Sequence, residues 1–217
     1  DRSVSRGLGD VYKRQLYMTL VSTLVGYVIG LPMGIILTVS DKDGIKPNAV
    51  LYKILDVIAN IVRSVPFIIL LVLLIPFTRL VVGKSYGSTA TIVPLVIAAA
   101  PYIARMVESS LKEVDAGVIE AARSMGASNF TIITKVMLVE ARTSLLVGAT
   151  ITLGTILGYS AMSGAVGGGG LGAIAIRYGY TRWQTDIMIV TVILLVILFQ
   201  IFQTIGMKLA SNLDRRK

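Results

Sequence analysis

Residues 187–209 read IMIVTVILLVILFQIFQTIGMKL, twenty-three positions with a single charge, Lys208. About 20 consecutive apolar residues cross a bilayer as a helix, so this run is long enough. Its apolar residues are continuous and do not alternate, which favours a helix over a barrel strand. Working outward, four more runs of the same kind stand at about 16–39, 55–82, 89–107 and 144–166. The second is long and holds Pro66 and Pro76; the third holds Pro94 and Pro101. The spacing predicts an all-α polytopic membrane protein with five transmembrane helices.

The composition agrees. Of 217 residues, 54% are hydrophobic and 15% charged, and the mean hydropathy is +0.78. That balance does not cover the surface of a soluble domain of this length. The net charge of +9 fits nucleic acid or a membrane. The basic residues flank apolar runs, so the membrane is the partner read here and no nucleic acid is expected. The chain has no cysteine and no histidine. This removes disulfides, Cys/His metal sites and catalytic Cys or His. No metal site and no catalytic constellation is expected.

Lys and Arg set the orientation. With five spans, one side receives twelve: Lys42, Lys46, Lys53, Arg105, Lys112, Arg123, Lys135, Arg142, Lys208, Arg215, Arg216 and Lys217. The other receives four: Arg79, Lys84, Arg177 and Arg182. The twelve-residue side is expected in the cytoplasm, with the N-terminus outside and the C-terminus inside. Arg63 lies inside the second span and is not counted. Residues 1–15, DRSVSRGLGDVYKRQ, strain this assignment by adding four basic residues outside. They show no apolar period and resemble a translated sequencing-library adaptor. The segment is read as non-native or disordered, against the alternative of a native polar tail. The domain is then 16–217.

One stretch breaks the oily pattern. Residues 105–142 carry ten charges, and about 108–142 reads as a cytoplasmic region. Asp115 can cap a helix beginning near Ala116. Ile119, Ala122 and Met125 follow as an apolar edge. Gly126 supplies a left-handed terminator. Ser128 or Asn129 can cap a second helix, with Ile132, Ile133, Val136 and Met137 on one face. Ala121 and Ala122 lack bulk, which lets another surface approach.

Glu120, Ala121, Ala122 and Gly126, followed nine residues later by Val136 and Leu138, resemble the Glu-Ala-Ala…Gly…Ile-x-Leu-Pro pattern of permease subunits of ATP-binding-cassette importers. Val139 stands where that family usually has Pro, a departure that bears on the second cytoplasmic helix. The resemblance covers nearly all of 16–217. RSVPFIILLVLLIPFTRLVVG (63–83), APYIARMVESSLKEV (100–114) and GYSAMSGAVGGGGLG (158–172) resemble methionine-importer permeases in particular. It implies a type I importer permease fold, a second copy of the chain, and two cytoplasmic ATPase subunits that bind ATP and Mg. It also implies an extracytoplasmic methionine-binding protein or lipoprotein, a bacterial plasma (inner) membrane location, and a coupling helix at 120–126 that docks on the ATPase. The alternative for that helix is an amphipathic segment lying on lipid.

Two phosphate-loop look-alikes fail. Gly83-Lys84-Ser85 lacks the Gly five residues earlier, where Thr78 stands. Gly167, Gly169 and Gly172 follow a membrane helix and no βαβ unit. The chain is therefore read as having no ATPase site, and as no enzyme in itself. The six glycines within 164–172 either turn the chain and admit a close backbone, or form a flexible loop. On the fourth span Gly148, Thr152, Thr155, Tyr159 and Met162 share a face. The stripe either lines a path or packs against helices, with packing favoured. The resemblance implies that Met162 narrows the path when it is closed, and a flexible thioether suits that. Gly26, Gly30 and Gly34 read as a packing face.

Rival readings are an importer of another amino acid or small solute, an ion-driven transporter, and a membrane enzyme. Ion-driven carriers place acidic residues in their spans, and only Asp56 and Glu140 come near.

Overall fold

The computed structural model describes residues 2–214. Arg215, Arg216 and Lys217, counted above among the cytoplasmic cations, lie outside the described residues. Eleven α-helices occur among the described residues: α1 Arg2–Ser40, α2 Ala49–Ser64, α3 Phe67–Leu73, α4 Ile75–Val82, α5 Ser88–Lys112, α6 Ala116–Ser124, α7 Asn129–Thr131, α8 Leu138–Glu140, α9 Arg142–Met162, α10 Gly170–Ile174 and α11 Thr185–Leu213. A π-helical stretch, Ile132–Met137, joins α7 to α8 and another, Ala175–Thr181, extends α10. There is no strand among the described residues.

The glycines of α1 set the packing. A Cβ on Gly30 would stand 2.6 Å from the Ala100 carbonyl oxygen, and one on Gly34 2.6 Å from that of Ala104. Gly26 approaches Ala99 and Ile103. The glycine face thus admits α5 to backbone contact, as small residues do between membrane helices. The pairing order, 26 to 99, 30 to 100 and 34 to 104, makes α1 and α5 parallel. Ser144 donates to Ser110 at 2.9 Å, and Thr155 to Tyr102 at 3.4 Å, so α9 is antiparallel to α5. Gly206 meets Thr150 and Gly154 meets Phe199, so α11 is antiparallel to α9.

Two ends follow. At the glycine end, the Gly87 N–H donates to the Gly167 carbonyl at 2.9 Å. At the charged end, Tyr52 of α2 donates to Glu108 of α5 at 3.3 Å. Because α1 and α5 are parallel, the chain between them must return from the charged end to the glycine end. Four helices, within Arg6–Ser40, Ser88–Lys112, Arg142–Val166 and Thr185–Leu213, are long and apolar enough to cross a membrane. The return makes the fifth crossing. It is the broken pair Ala49–Ser64 and Phe67–Leu73, bent by 102°, continued by α4.

The second span, expected at about 55–82, starts earlier, at Ala49, and is broken at Val65. Pro66 disfavours helical backbone at the residue before it, and Val65 is extended at φ −84°, ψ 124°. Pro94 and Pro101 lie within α5 without ending it.

Positions 2–15 continue α1 as helix, because no proline interrupts them and a helix propagates easily from a formed one. Gln15 is fully buried. Its amide hydrogen-bonds the Ser160 hydroxyl, and its Oε1 accepts the Leu171 N–H at 3.1 Å. Gln15 thus joins α1 to α9 and α10.

Candidate functional site

Between α5 and α9 the chain leaves the bundle at its charged end. Asp115 caps α6, accepting the Gly117 N–H at 2.6 Å. At the other end of α6 the Gly126 N–H reaches the Arg123 carbonyl at 3.0 Å, and the Ala127 N–H reaches that of Ala122 at 3.1 Å. This is a complete Schellman stop, with Gly126 at φ +82°. Ser128, not Asn129, caps α7, accepting the Thr131 N–H at 3.2 Å. The helical path then runs on to Glu140, with Ile132 and Met137 buried and Ile133 and Val136 packed on the core. Val139, at the position of the missing Pro, is helical and 38% exposed.

The Glu-Ala-Ala motif divides on this surface. Glu120, Ala121 and Gly126 are exposed, whereas Ala122 is 6% exposed and belongs to the chain's own core. Ala122 is thus small where it packs on its own bundle, and the surface that approaches it in this chain is the chain's own core. Met125, expected on the inward edge, is 82% exposed because the helix ends one residue before it. Val118 and Phe130 are exposed as well, at 40% and 74%, so this region presents apolar side chains to its surroundings. Phe130 was not singled out in the sequence. Arg123 donates to the Ile45 carbonyl at 3.0 Å, tying α6 to the loop after α1. A cleft of about 670 Å³ lies between them, with Glu120 and Arg123 on its wall.

Behind α6 stands a charge chain that the sequence reading missed. The third span was read as ending at Val107, but α5 runs on to Lys112 and buries Glu108 to 6% exposure. Arg105 reaches Glu108 at 2.8 Å and also pairs with Asp56 of α2. Lys112 bonds Glu108 and Asp41, each at 2.8 Å. The Lys112 hydrogen bond holds the Asp41 carboxyl below its ordinary range. Buried charges persist only when paired and hydrogen-bonded, and here the pairing fastens three segments: α2, α5 and the loop after α1.

The residues of the fourth-span stripe differ in their surroundings. Thr152 is fully buried and donates to the Gly148 carbonyl at 2.7 Å. It faces Tyr27 of α1, which is packing. Thr155 bonds the Ile151 carbonyl at 3.1 Å and also reaches Tyr102. Tyr159 stacks on Phe67, with ring centroids 4.7 Å apart and planes 9° apart. Met162 is 50% exposed at the glycine end. Steps of 3 and 4 residues spread these positions over roughly 80° of helix face, enough to straddle a packed and an open side.

The glycine run forms a built turn. Gly167, Gly169 and Gly170 have positive φ, and a Cβ on Gly172 would stand 1.9 Å from the Ala161 carbonyl oxygen. The close backbone partner is the chain's own α9.

A second cleft, about 200 Å³, opens where α2 breaks, lined by Arg63, Phe67, Ala98, Tyr102 and Tyr159 among others. Arg63 sits in the last turn of α2, where the helix dipole favours a cation by about 0.3–1 kcal/mol. A cation at mid-membrane costs about 2.5–3.5 kcal/mol on insertion scales, so the dipole is the smaller effect.

Comparison with known proteins supplies the family. Residues 30–217 match the family described as binding-protein-dependent transport system inner membrane component. The chain is 50% identical over 201 residues to the probable D-methionine transport system permease protein MetI of Vibrio cholerae, covering 93% of this chain and 89% of that one. It is 56% identical over 149 residues to the D-methionine transport system permease protein MetI of Escherichia coli, 69% of each. A chain from an inward-facing structure of the MetNI methionine ABC transporter superposes with a TM-score of 0.97 at 48% identity, covering 99% of this chain and 100% of that one.

Proposed function

The chain belongs to the binding-protein-dependent transport system inner membrane components, and on that premise we propose that it is the permease subunit of an ATP-driven methionine importer. One observation carries this reading: the full-length match in fold and sequence to a methionine transporter chain, seconded by relatives named for D-methionine. The fold is that of a type I importer permease in a bacterial inner membrane. The chain transports and does not catalyse; ATP and Mg are held by the partner ATPase.

Two copies of the chain form the path, two ATPase subunits sit beneath them, and a methionine-binding protein delivers cargo from outside. The charged end faces the cytoplasm, since the basic residues gather there. Glu120, Ala121 and Gly126 present the docking surface, rimmed by Met125 and Phe130. Closure of the ATPase pair displaces α6. Arg123 and the Asp41–Lys112–Glu108–Arg105–Asp56 chain carry that displacement to α1, α2 and α5. Met162, at the opposite end, supplies the gate. The change of access costs no covalent chemistry in this chain; it needs only that the ATPase bind α6 differently in its two states.

The test is uptake of labelled methionine into proteoliposomes holding the chain, its ATPase and the binding protein. ATP-dependent accumulation of L- or D-methionine is expected. Steady ATP turnover with no methionine accumulated, while another solute accumulates, would replace the cargo.

A further inference from the structure

Arg63 stands in a position that neither the coupling surface nor the packing explains. It follows Tyr52, which marks the charged end, by eleven residues of the same helix, so it lies roughly 16 Å along it, well within the crossing. Directly after it the helix breaks at Val65 and Pro66. The cleft at that break holds two tyrosines, Tyr102 and Tyr159, and the ring of Phe67, but no carboxylate. Nearer the charged end the cations of α5 are matched: Arg105 has Asp56 and Glu108, and Lys112 has Asp41 and Glu108. Ionisable side chains within a crossing face an aqueous path or a partner, and here the walls provide no anion. At about 200 Å³ the cleft is smaller than the roughly 300–1,000 Å³ of drug-sized pockets, which suits a solute of a few heavy atoms.

We propose that this cleft is a docking site within the path for the carboxylate of the amino acid in transit. The guanidinium of Arg63 binds the carboxylate, and a planar fork of donors suits that partner. The Tyr102 hydroxyl, already within reach of Thr155 at 3.4 Å, offers a polar neighbour to the rest of the cargo. The stacked pair Phe67–Tyr159 gives its apolar side chain an aromatic wall, against which a thioether packs well. The inference rests on the amino-acid importer reading and adds to it a recognition site in the membrane subunit itself.

The chain has no cysteine, which makes the test direct. Ala98 lines the cleft, so Ala98→Cys places one thiol there. In the complex with the ATPase, the rate at which methyl methanethiosulfonate modifies this thiol is read by mass on the permease chain. Millimolar methionine is expected to slow modification at least threefold, and methioninamide, which lacks the carboxylate, is not. Arg63→Gln should abolish the protection and Arg63→Lys should keep part of it. Equal protection by methionine and methioninamide overturns the proposal, as does protection unchanged by Arg63→Gln. Protection by no amino acid among methionine, leucine and glutamine also overturns it. Should Arg63→Gln fail to assemble, the contrast between methionine and methioninamide in the Ala98→Cys chain decides alone. Protection by leucine or glutamine but not by methionine would keep the carboxylate site and remove methionine as cargo.

Discussion

Gly126 holds φ +82° and has open space where a Cβ would go, so its requirement is conformational and not steric. Gly126→Ala should therefore destabilise the turn by about 1 kcal/mol without disturbing neighbours. Its expected signature is a lower temperature for loss of ATP-dependent uptake, with the complex still formed at 25 °C. Glu108 is the stricter case. It is buried between two cations, and removing one partner of such a set leaves the others uncompensated. Glu108→Ala should cost about 3 kcal/mol, the low end for a broken buried pair, because Lys112 is 43% exposed and water screens it. Thermal unfolding of the solubilised complex would measure it. A Glu108→Ala midpoint equal to the parent's would show that the charge chain contributes nothing. Sequence alone identified Gly126, because a glycine after a capped apolar-edged helix has few other meanings. It did not identify Glu108, because a hydropathy boundary drawn at Val107 places the next charge in water. It also treated Ala121 and Ala122 as equivalents, and only the packing of α6 on the core separates them.

The helices were readable to the extent that they are continuous. Apolar runs located α1, α5, α9 and α11, and the glycine spacing of α1 predicted its packing face. Proline was ambiguous. Pro66 ends α2 with a 102° bend, while Pro94 and Pro101 are absorbed into α5, where neighbouring α1 and α9 pack along the helix. Composition does not distinguish these outcomes, since tertiary contact decides whether a proline's lost hydrogen bond breaks the helix or is tolerated. The α1–α5 contact gives a sharp expectation. A Cβ at Gly30 would lie 2.6 Å from a backbone oxygen, which a rigid helix cannot move aside locally. Gly30→Val should destabilise by about 1–3 kcal/mol as overpacking does and lower the midpoint by several degrees. Gly158, with nothing within 4 Å, should accept Ala without that loss.

Across the described residues, α5 runs parallel to α1, α9 antiparallel to α5 and α11 antiparallel to α9, so α1 and α11 run in the same direction. The expected orientation sets the glycine end outside and the charged end in the cytoplasm. Single-cysteine variants of this cysteine-free chain test it. Lys84→Cys, exposed between α4 and α5, should react with an impermeant maleimide on intact cells. Asn129→Cys, exposed after α6, should react only after the membrane is opened; the reverse pattern would invert the orientation. The described surface is largely apolar along α2, α3 and α11, with Val50, Leu73 and Ile193 all more than half exposed, as a lipid-bathed and self-associating subunit requires.

The most direct measurement is methionine accumulated per ATP hydrolysed by the reconstituted complex carrying Gly126→Pro. Proline cannot adopt φ +82° and has no N–H to give Arg123, so the α6 stop is lost while the crossings are untouched. Coupling through α6 predicts that uptake collapses at least tenfold while permease and ATPase still co-purify. Uptake per ATP equal to the parent's would contradict it.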